Sequence, residues 1–384
     1  MFKKYLIYSS IFSLFTEKLL IHNIIDIKFF YIIIILNSGL LIYYGLYYFN
    51  KVFLLILGII FTLNFFNILL GINQWYLFSL QFLGITIIAS YYYNFFRYLD
   101  DNFYVFDIYV KTSFWIASLG LTLYLIDVIY HGEVAGLDSI MLEPAHYAAV
   151  VLPAFYFSLW NYINYKSYKK ETAILLLSII LSGSAVAFIG LLLTIFFIGK
   201  KSIFKIFQTL LAVILVGFIM YTTNSDVGMR VDDTLMALYT MDLKGANLST
   251  TVLLSNAYIS YNSFMSYPIF GSGLGSYILA YQEYFYKIDG GGASNVAYGI
   301  NSKDANSLFL RLLVESGMFG IILLSSFIIR NGVGLGFKSE AISKGLLIYI
   351  MLKLLREGHY FPPEMWFFFM LYLFLKRKSN VSKI

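Results

Sequence analysis

The sequence predicts an all-α polytopic membrane protein with about twelve transmembrane helices and one large loop outside the membrane. Of its 384 residues, 60% are hydrophobic and only 12% are charged, whereas a soluble domain has roughly 45–50% apolar and about 25% charged residues. Apolar runs of about 20 residues, enough to cross a hydrocarbon core, recur from one end of the chain to the other. No stretch has the composition of an ordinary soluble domain.

Charge and cysteine content exclude several other classes of protein. The net charge is +6, but the basic residues form short clusters between apolar runs, a pattern typical of cytoplasmic loops and not of a nucleic-acid-binding surface. The chain has no cysteine, which excludes disulfides and thiolate metal sites. The first apolar run, Tyr5–Phe15, lacks a small-residue cleavage site, so we expect a retained helix rather than a signal peptide.

The spans follow from hydropathy and from the basic clusters, which we place in the cytoplasm together with both termini. The apolar segment between Glu171 and Gly199 has Lys-rich flanks on both sides, so it must cross an even number of times. Its break is predicted at Ser182-Gly183-Ser184, where hydroxyls can satisfy freed backbone groups. The predicted spans are roughly 5–15, 29–49, 52–70, 75–96, 112–130, 145–163, 172–182, 185–199, 203–221, 308–329, 341–355 and 365–376.

Three regions follow: a helix bundle over 1–221, a large outer loop over 222–307 and further membrane helices over 308–384. The loop has seven acidic and four basic residues, and loops of this length usually serve a function. The histidines and most of the prolines lie at the predicted outer face, which locates the expected site there. This group contains all four histidines (His22, His131, His146, His359) and four of the five prolines (Pro144, Pro268, Pro362, Pro363).

The first candidate cluster is Glu143-Pro144-Ala145-His146-Tyr147. Proline suits the first helical position, and a carboxylate favours the positive end of a helix. The cluster is therefore either a capped helix start with interfacial aromatic residues, or a carboxylate and an imidazole placed for acid–base catalysis at a cavity mouth.

The second cluster is Pro268-Ile269-Phe270-Gly271-Ser272-Gly273-Leu274-Gly275. Its glycine spacing is similar to that of phosphate-binding loops, but no strand precedes it, which excludes a nucleotide site. It predicts a tight turn whose backbone approaches another helix or a ligand.

The third cluster runs from Ala305 to Gly320. Arg311 and Glu315 stand at i and i+4, so they share a helix face and can pair. The pair is either structural or functional, since ionisable groups inside a span are costly.

The fourth cluster runs from Leu355 to Trp366. Lys353 and Arg356 lie at an outer helix end, where the positive-inside rule disfavours basic residues, and we expect Lys353 to snorkel. Arg230, Arg311 and Arg356 are the arginines predicted at or beyond the outer face. Guanidinium groups bind phosphate in bidentate fashion, so three around one cavity suit a pyrophosphate, although Arg230 can instead pair within its own loop. We predict no metal site, because the histidines are not spaced as zinc ligands.

In this order the clusters resemble the bacterial O-antigen polymerase (Wzy-type) and O-antigen ligase families. The Glu143–Ala148 string is similar to the polymerase signature Glu-Pro-Ser-(Tyr/His)-(Phe/Tyr)-Ala. The Pro268–Gly275 stretch resembles the P-x-x-G-x-G-x-G segment of the large loop, and Asn306–Gly320 resembles the N-S-x-x-x-x-L-x-E-x-G-x-x-G helix start. Arg356–Tyr360 looks like the C-terminal arginine-containing loop.

The resemblance implies a GT-C-type glycosyltransferase in the bacterial inner membrane, with its large loop and its site on the periplasmic side and with neither metal nor cofactor. Donor and acceptor would be undecaprenyl-pyrophosphate-linked oligosaccharides, and membrane lipid and a chain-length regulator protein are the further expected partners. Glu143 is expected to act as base or to orient the acceptor, assisted by His146 and His359. The residues expected to bind pyrophosphate or substrate are Arg230, Arg311, Arg356, Tyr360, Asn306 and Gly273.

Three other functions remain as alternatives. An O-antigen ligase would transfer finished polymer to lipid A–core, but ligases carry a His-Asn pair where this chain has Ala305-Asn306. A non-enzymatic flippase or transporter of lipid-linked oligosaccharide would lack one dominant outer loop, and a secondary transporter would show paired broken helices in two halves.

Overall fold

The computed structural model describes residues 1–22, 27–99, 101–131, 136–198, 221–222, 225–240, 248–291, 298–332 and 337–381. These ranges are helical apart from turns and one short antiparallel ribbon, β1 (Leu20–His22) with β2 (Ile27–Lys28), in which Leu20 lies opposite Lys28. The first eight helices are α1 (Phe2–Ser13), α2 (Phe29–Tyr43), α3 (Lys51–Leu69), α4 (Trp75–Tyr98), α5 (Asn102–His131), α6 (Pro144–Tyr165), α7 (Lys169–Leu181) and α8 (Ala185–Ile198). The later helices are α9 (Ser225–Thr240), α10 (Leu248–Ser266), α11 (Tyr277–Tyr284), α12 (Leu308–Asn331), α13 (Phe337–Leu355) and α14 (Pro363–Val381).

Each predicted span other than 203–221 falls on one of these helices, and 203–220 lies outside the described residues. Three described helices are long and apolar enough to cross a membrane: Lys51–Leu69, Asn102–Tyr130 and Leu308–Asn331. Phe29–Tyr43, Ala185–Ile198 and Pro363–Leu375 are shorter apolar helices. The helical class and the membrane character are thus confirmed, while the crossing number of about twelve stays a prediction.

Other helices carry polar side chains that are satisfied inside the bundle. In α4 the hydroxyl of the buried Tyr91 bonds with Ser10 of α1 and accepts from Asn37 of α2 at 3.0 Å. In α5 the Tyr109 hydroxyl donates to the Val150 carbonyl of α6. Such pairs satisfy part of the polar groups that the helices bury, although the Asn37 side-chain oxygen has no hydrogen-bond partner among the described residues.

The predicted break between α7 and α8 is confirmed. Gly183 has φ +60°, in the left-handed region that favours glycine. The Ser182 hydroxyl donates to the Ile179 carbonyl at 2.7 Å, and the Ser184 hydroxyl accepts from the Ala187 amide at 3.1 Å. The serine hydroxyls therefore take up backbone groups that the break leaves free.

Successive helix ends meet at two opposite ends of the bundle. At one end, Lys18 after α1 pairs with Asp138 before α6 at 3.0 Å, and the Leu137 amide donates to the Leu181 carbonyl at the end of α7 at 3.0 Å. We call this the site end. At the opposite end, the Arg97 guanidinium near the end of α4 lies 4.0 Å from the Tyr48 ring centroid, just before α3.

The described part of 222–307 is folded. It contains α9, α10, α11 and a 3-10 helix, Phe285–Gly291. Its apolar side chains form a cluster that also includes side chains of α12. The cluster includes Val252, Ile259, Tyr277, Tyr281, Phe285 and, from α12, Val314.

Candidate functional site

The glycine-rich segment 268–275 fills a break in α12. Gly317 has φ +57° and ψ −153° inside that helix, so the helical hydrogen bonds on either side are lost. The segment replaces them: the amides of residues 272 and 273 donate to the carbonyls of 314 and 315 at 2.8 and 3.0 Å, and the carbonyls of 268 and 269 accept from the amides of 318 and 319 at 2.9 and 3.0 Å. The second and third sequence clusters are therefore one structural unit.

Glycine is required in this segment because the backbone approaches its neighbours closely. Gly271 and Gly273 have φ +69° and +105°, and a Cβ on Gly271 would overlap the Ser316 amide. A Cβ on Gly273 would lie 2.7 Å from the side-chain nitrogen of Asn73. Asn64 of α3 accepts from the Leu274 amide, so the segment also ties α3 to α12. The predicted tight turn against another helix is confirmed.

Arg311 is buried, with 1% of its surface exposed. Its Nε donates to Glu315 Oε1 at 2.8 Å, and its Nη1 donates to the Gly358 carbonyl at 3.0 Å. The guanidinium carbon lies 4.1 Å from the Tyr360 ring centroid, within the range of a cation–π contact. The predicted i,i+4 pair is confirmed, and Arg311 links α12 to the loop that follows α13.

That loop, residues 356–362, packs on the turn before α12. The Glu357 amide donates to the Asn306 carbonyl at 2.9 Å, and the Ser307 hydroxyl donates to the Leu354 carbonyl at 2.7 Å. A Cβ on Gly358 would overlap the Asp304 carbonyl oxygen. The third and fourth clusters therefore also meet, with Asn306 at their junction.

His359 is half-exposed, and its Nε2 lies 2.9 Å from the buried Asp304 carboxylate. Burial alone would raise the pKa of Asp304, but the hydrogen bond and charge of His359, the Asn306 amide and the charge of Arg311 lower it below its ordinary value. The exposed imidazole of His359 therefore has the negatively charged carboxylate of Asp304 as its partner.

The first cluster starts α6 at the same end. Pro144 takes the first helical position, as predicted, but the exposed Glu143 makes no capping hydrogen bond. The carboxylate of Glu143 therefore has no role as a cap in this structure, and it faces the surface of the site end.

His146 contacts a residue that the sequence did not single out. Its Nδ1 lies 2.9 Å from Oε2 of Glu17, whose Oε1 lies 3.3 Å from Nζ of Lys28. Burial would raise the pKa of the Glu17 carboxyl, but the hydrogen bond from His146 and the charges of His146, Lys28 and Lys353 lower it to about 2. Glu17 lies 129 residues before His146 in the chain. In the sequence it is recognisable only as an acidic residue at the edge of an apolar run.

Lys353 does not snorkel. It is 1% exposed and pairs with the buried Glu357. The two residues stand at positions i and i+4, as Arg311 and Glu315 do. Glu357 interacts electrostatically with His146 and with the buried Glu364 at the start of α14. The i,i+4 spacing could have revealed this pair, and Glu357 connects the His146 region with the Arg311 region.

A cavity of about 410 Å³ lies beside Glu315, the ion-pair partner of Arg311, between α3, α12 and α14. Its walls are mainly Leu, Ile and aromatic side chains, and its polar groups include Glu315, Asn64 and Asn67. The second carboxylate oxygen of Glu315 is buried and has no hydrogen-bond partner among the described residues. Other lining residues are Ile60, Leu63, Ile85, Phe270, Leu312, Phe319, Leu323, Phe327, Tyr360, Trp366 and Phe369.

Another cavity, of about 550 Å³, lies at the opposite end of the bundle beside the Asp107–Lys111 pair. None of the predicted site residues lines it.

Of the two other predicted arginines, the structure describes the side chain of Arg356 but not that of Arg230. Arg356 is partly exposed just after α13, and its side chain makes no hydrogen bond or ion pair within the described ranges. Arg230 lies in α9, but its side chain is outside the described part of the chain. The shared pyrophosphate site of Arg230, Arg311 and Arg356 therefore stays a prediction. Within the same limits, no three His, Asp or Glu side chains are grouped to hold a metal ion.

No protein-family model matches the chain, and no curated protein is similar enough to count as a relative.

Proposed function

We propose that this protein is a polysaccharide polymerase of the O-antigen type in the bacterial inner membrane, crossing it about twelve times with the site end facing the periplasm. In the proposed reaction, a growing glycan on undecaprenyl pyrophosphate is transferred to a hydroxyl of an incoming lipid-linked repeat unit. The reaction class is a metal-independent glycosyl transfer.

The observation that carries the proposal is the meeting of all four sequence clusters at one end of the bundle. Glu357 and Gly358 contact Asn306 and Arg311, Gly273 bonds to the α12 backbone at Glu315, and His146 interacts with Glu357. Residues that are far apart in the chain thus supply carboxylates, imidazoles and guanidinium groups within one connected region.

The cavity beside Glu315 supports the lipid part of the proposal. Its wall is largely apolar and suits an isoprenoid chain, since such a chain offers no hydrogen bonds and would leave polar wall groups unsatisfied. Arg356, partly exposed and without a hydrogen bond or ion pair among the described residues, is more accessible to a phosphate than the buried Arg311.

The polymerase is favoured over the ligase by Ala305. This residue is fully buried and has a methyl side chain, so it cannot exchange a proton at the position where ligases carry histidine. The polymerase resemblance requires no histidine there.

The test supplies purified protein with lipid-linked repeat units and no lipid A–core. We expect a ladder of extended lipid-linked glycans, visible by gel electrophoresis and mass spectrometry. Cells that lack the gene should still attach single repeat units to their surface acceptor. Accumulation of long lipid-linked polymer in those cells would instead identify a ligase, and unchanged surface glycan would contradict both enzymes.

A further inference from the structure

The segment that follows α10 is bonded to a membrane-spanning helix well inside the length of that helix. The carbonyls of Pro268 and Ile269 accept from the two backbone amides that follow the break at Gly317. From the break to the far end of α12, residues 318–331 extend about 21 Å at 1.5 Å per residue, and Arg330 marks the opposite boundary of the membrane. Because the hydrocarbon core of a bilayer is about 30 Å thick, the break and the segment bonded to it lie within the core.

Helix α3 gives the same depth independently. It is long and apolar enough to cross a membrane, yet Asn64 and Asn67 stand within its last two turns. The Asn64 side chain accepts from the Leu274 amide, and the Asn67 side chain donates to the Gly271 carbonyl at 3.3 Å. Irregular backbone is tolerated at membrane depth only where protein or enclosed water satisfies its polar groups, and these two asparagines satisfy two of them.

The chain exposes a run of apolar residues at this depth. Residues 267–270, Tyr-Pro-Ile-Phe, follow α10 directly and are all exposed, and Ile269 is 63% exposed. Four consecutive exposed apolar residues are unfavourable in water, because none of their apolar surface is removed from it. In hydrocarbon the same side chains are already in an apolar environment.

Helix α10, which leads to this segment, buries its polar side chains and exposes its apolar ones. Most of its buried residues are Ser, Thr and Asn, and none of its residues is charged. The large side chains on its outer face include Tyr258, Tyr261 and Met265, which are 42%, 61% and 59% exposed. A helix at the surface of a soluble protein has the opposite arrangement, whereas small polar residues between helices are typical of membrane proteins.

We propose that the end of α10 and the segment 268–275 form a re-entrant hairpin whose exposed face is covered by lipid acyl chains of the leaflet at the site end. The chain descends along α12 with α10, turns at 268–275 and returns with α11 to the site end, where α12 begins at Leu308. This inference is independent of the proposed function. It replaces the sequence prediction that residues 222–307 lie wholly outside the membrane.

Lipid is favoured as the occupant because the exposed face of the hairpin continues into the exposed face of α12. The ring centroids of Phe270 and Phe319 are 5.6 Å apart. Met318 and Ile322, on the same stretch of α12, are 47% and 56% exposed. A surface that covered the hairpin with protein would therefore also have to cover the middle of a membrane-spanning helix.

The test uses spin labels on single cysteines, for which the chain is suited because it has none of its own. Ile269→Cys places a label at the turn, and Tyr261→Cys places one higher on α10. Purified protein in liposomes is exposed to oxygen, which concentrates in hydrocarbon, and to tris(oxalato)chromate, a charged complex that stays in water. Electron paramagnetic resonance measures the collision of each reagent with the label. Ile322→Cys is the lipid control, and Lys287→Cys is the water control, since the Lys287 side chain is charged and 55% exposed.

The ratio of oxygen to chromate collisions at Ile269 should match that at Ile322. It should exceed the ratio at Lys287 by about tenfold or more, because charged groups are strongly excluded from hydrocarbon. Tyr261 should give an intermediate ratio, since its label lies nearer the headgroups. If Ile269→Cys does not insert, Met265→Cys is measured in its place, and its ratio should lie between those of Ile322 and Tyr261.

Three results would overturn the proposal. A ratio at Ile269 equal to that at Lys287 would place the hairpin in water. Low collision with both reagents would show that protein, a second copy of the chain or a partner, covers the face. Equal ratios at Ile269 and Tyr261 would show that α10 lies along the membrane surface and does not descend into it. No substrate enters the measurement, so its outcome is separate from that of the ladder assay, which alone decides the proposed function.

Discussion

Two arginines at the site end lie in contrasting surroundings. Arg311 is buried, paired with Glu315, bonded to Gly358 and stacked on Tyr360. Arg356 is partly exposed and makes no such contacts among the described residues. The first guanidinium therefore maintains the fold of the site through contacts that a lysine cannot reproduce. The second is available to a ligand.

The contrast predicts separate effects of substitution. Arg311→Ala should destabilise the protein by about 3–5 kcal/mol, because it leaves the buried Glu315 carboxylate without its counter-charge. Arg356→Lys should leave the unfolding temperature in detergent unchanged but lower polymer formation, since an ammonium cannot form a bidentate bond to phosphate. Thermal unfolding and the ladder assay are measured on both variants. A stable Arg311→Ala protein, or a fully active Arg356→Lys enzyme, would contradict the corresponding role.

At the scale of elements, the broken helix α12 and the segment 268–275 form a single unit. Local patterns in the sequence predicted each half, because glycine spacing and i,i+4 charge pairs are readable within a few residues. Their insertion into one another could not be predicted, since it depends on hydrogen bonds between residues more than 40 positions apart. The Glu17–His146 contact was missed for the same reason. Hydropathy located the helices well because each apolar run reports on its own segment.

Because the segment packs closely against α12, we expect the effect of a glycine substitution on stability and activity to depend on its position. Gly271→Ala should lower the unfolding temperature and abolish activity, because the residue has φ +69° and its Cβ would overlap the Ser316 amide. The left-handed conformation alone costs roughly 1–2 kcal/mol for a residue with a side chain. Gly58→Ala in α3 is the control: nothing lies within 4 Å of its added Cβ, and alanine favours the helix by about 1 kcal/mol. Equal effects of the two variants would contradict the close approach of the segment to α12.

At the scale of the whole molecule, the alternation of helix ends determines which loops share a side of the membrane. α7 and α8 are joined only by the turn at 182–184, so Lys170 at the start of α7 and the end of α8 lie at the same end of the bundle. Leu181, the last residue of α7, accepts a hydrogen bond from the Leu137 amide at the site end. The positive-inside rule then predicts that the opposite end, which carries the basic residues around Lys170, faces the cytoplasm.

Reporter fusions test this orientation directly. Fusions after Lys170 and after Lys201 should both report the cytoplasm, although Lys201 lies outside the described residues, and a fusion within 280–300 should report the periplasm. The expected result follows because two short helices return the chain to the side where it started, while 298–307 leads into α12 at the site end. Opposite readings for the two lysine clusters would show that α7 and α8 cross as one span. A cytoplasmic reading within 280–300 would place the site end on the wrong side for a periplasmic polymerase and would remove the proposed function with it.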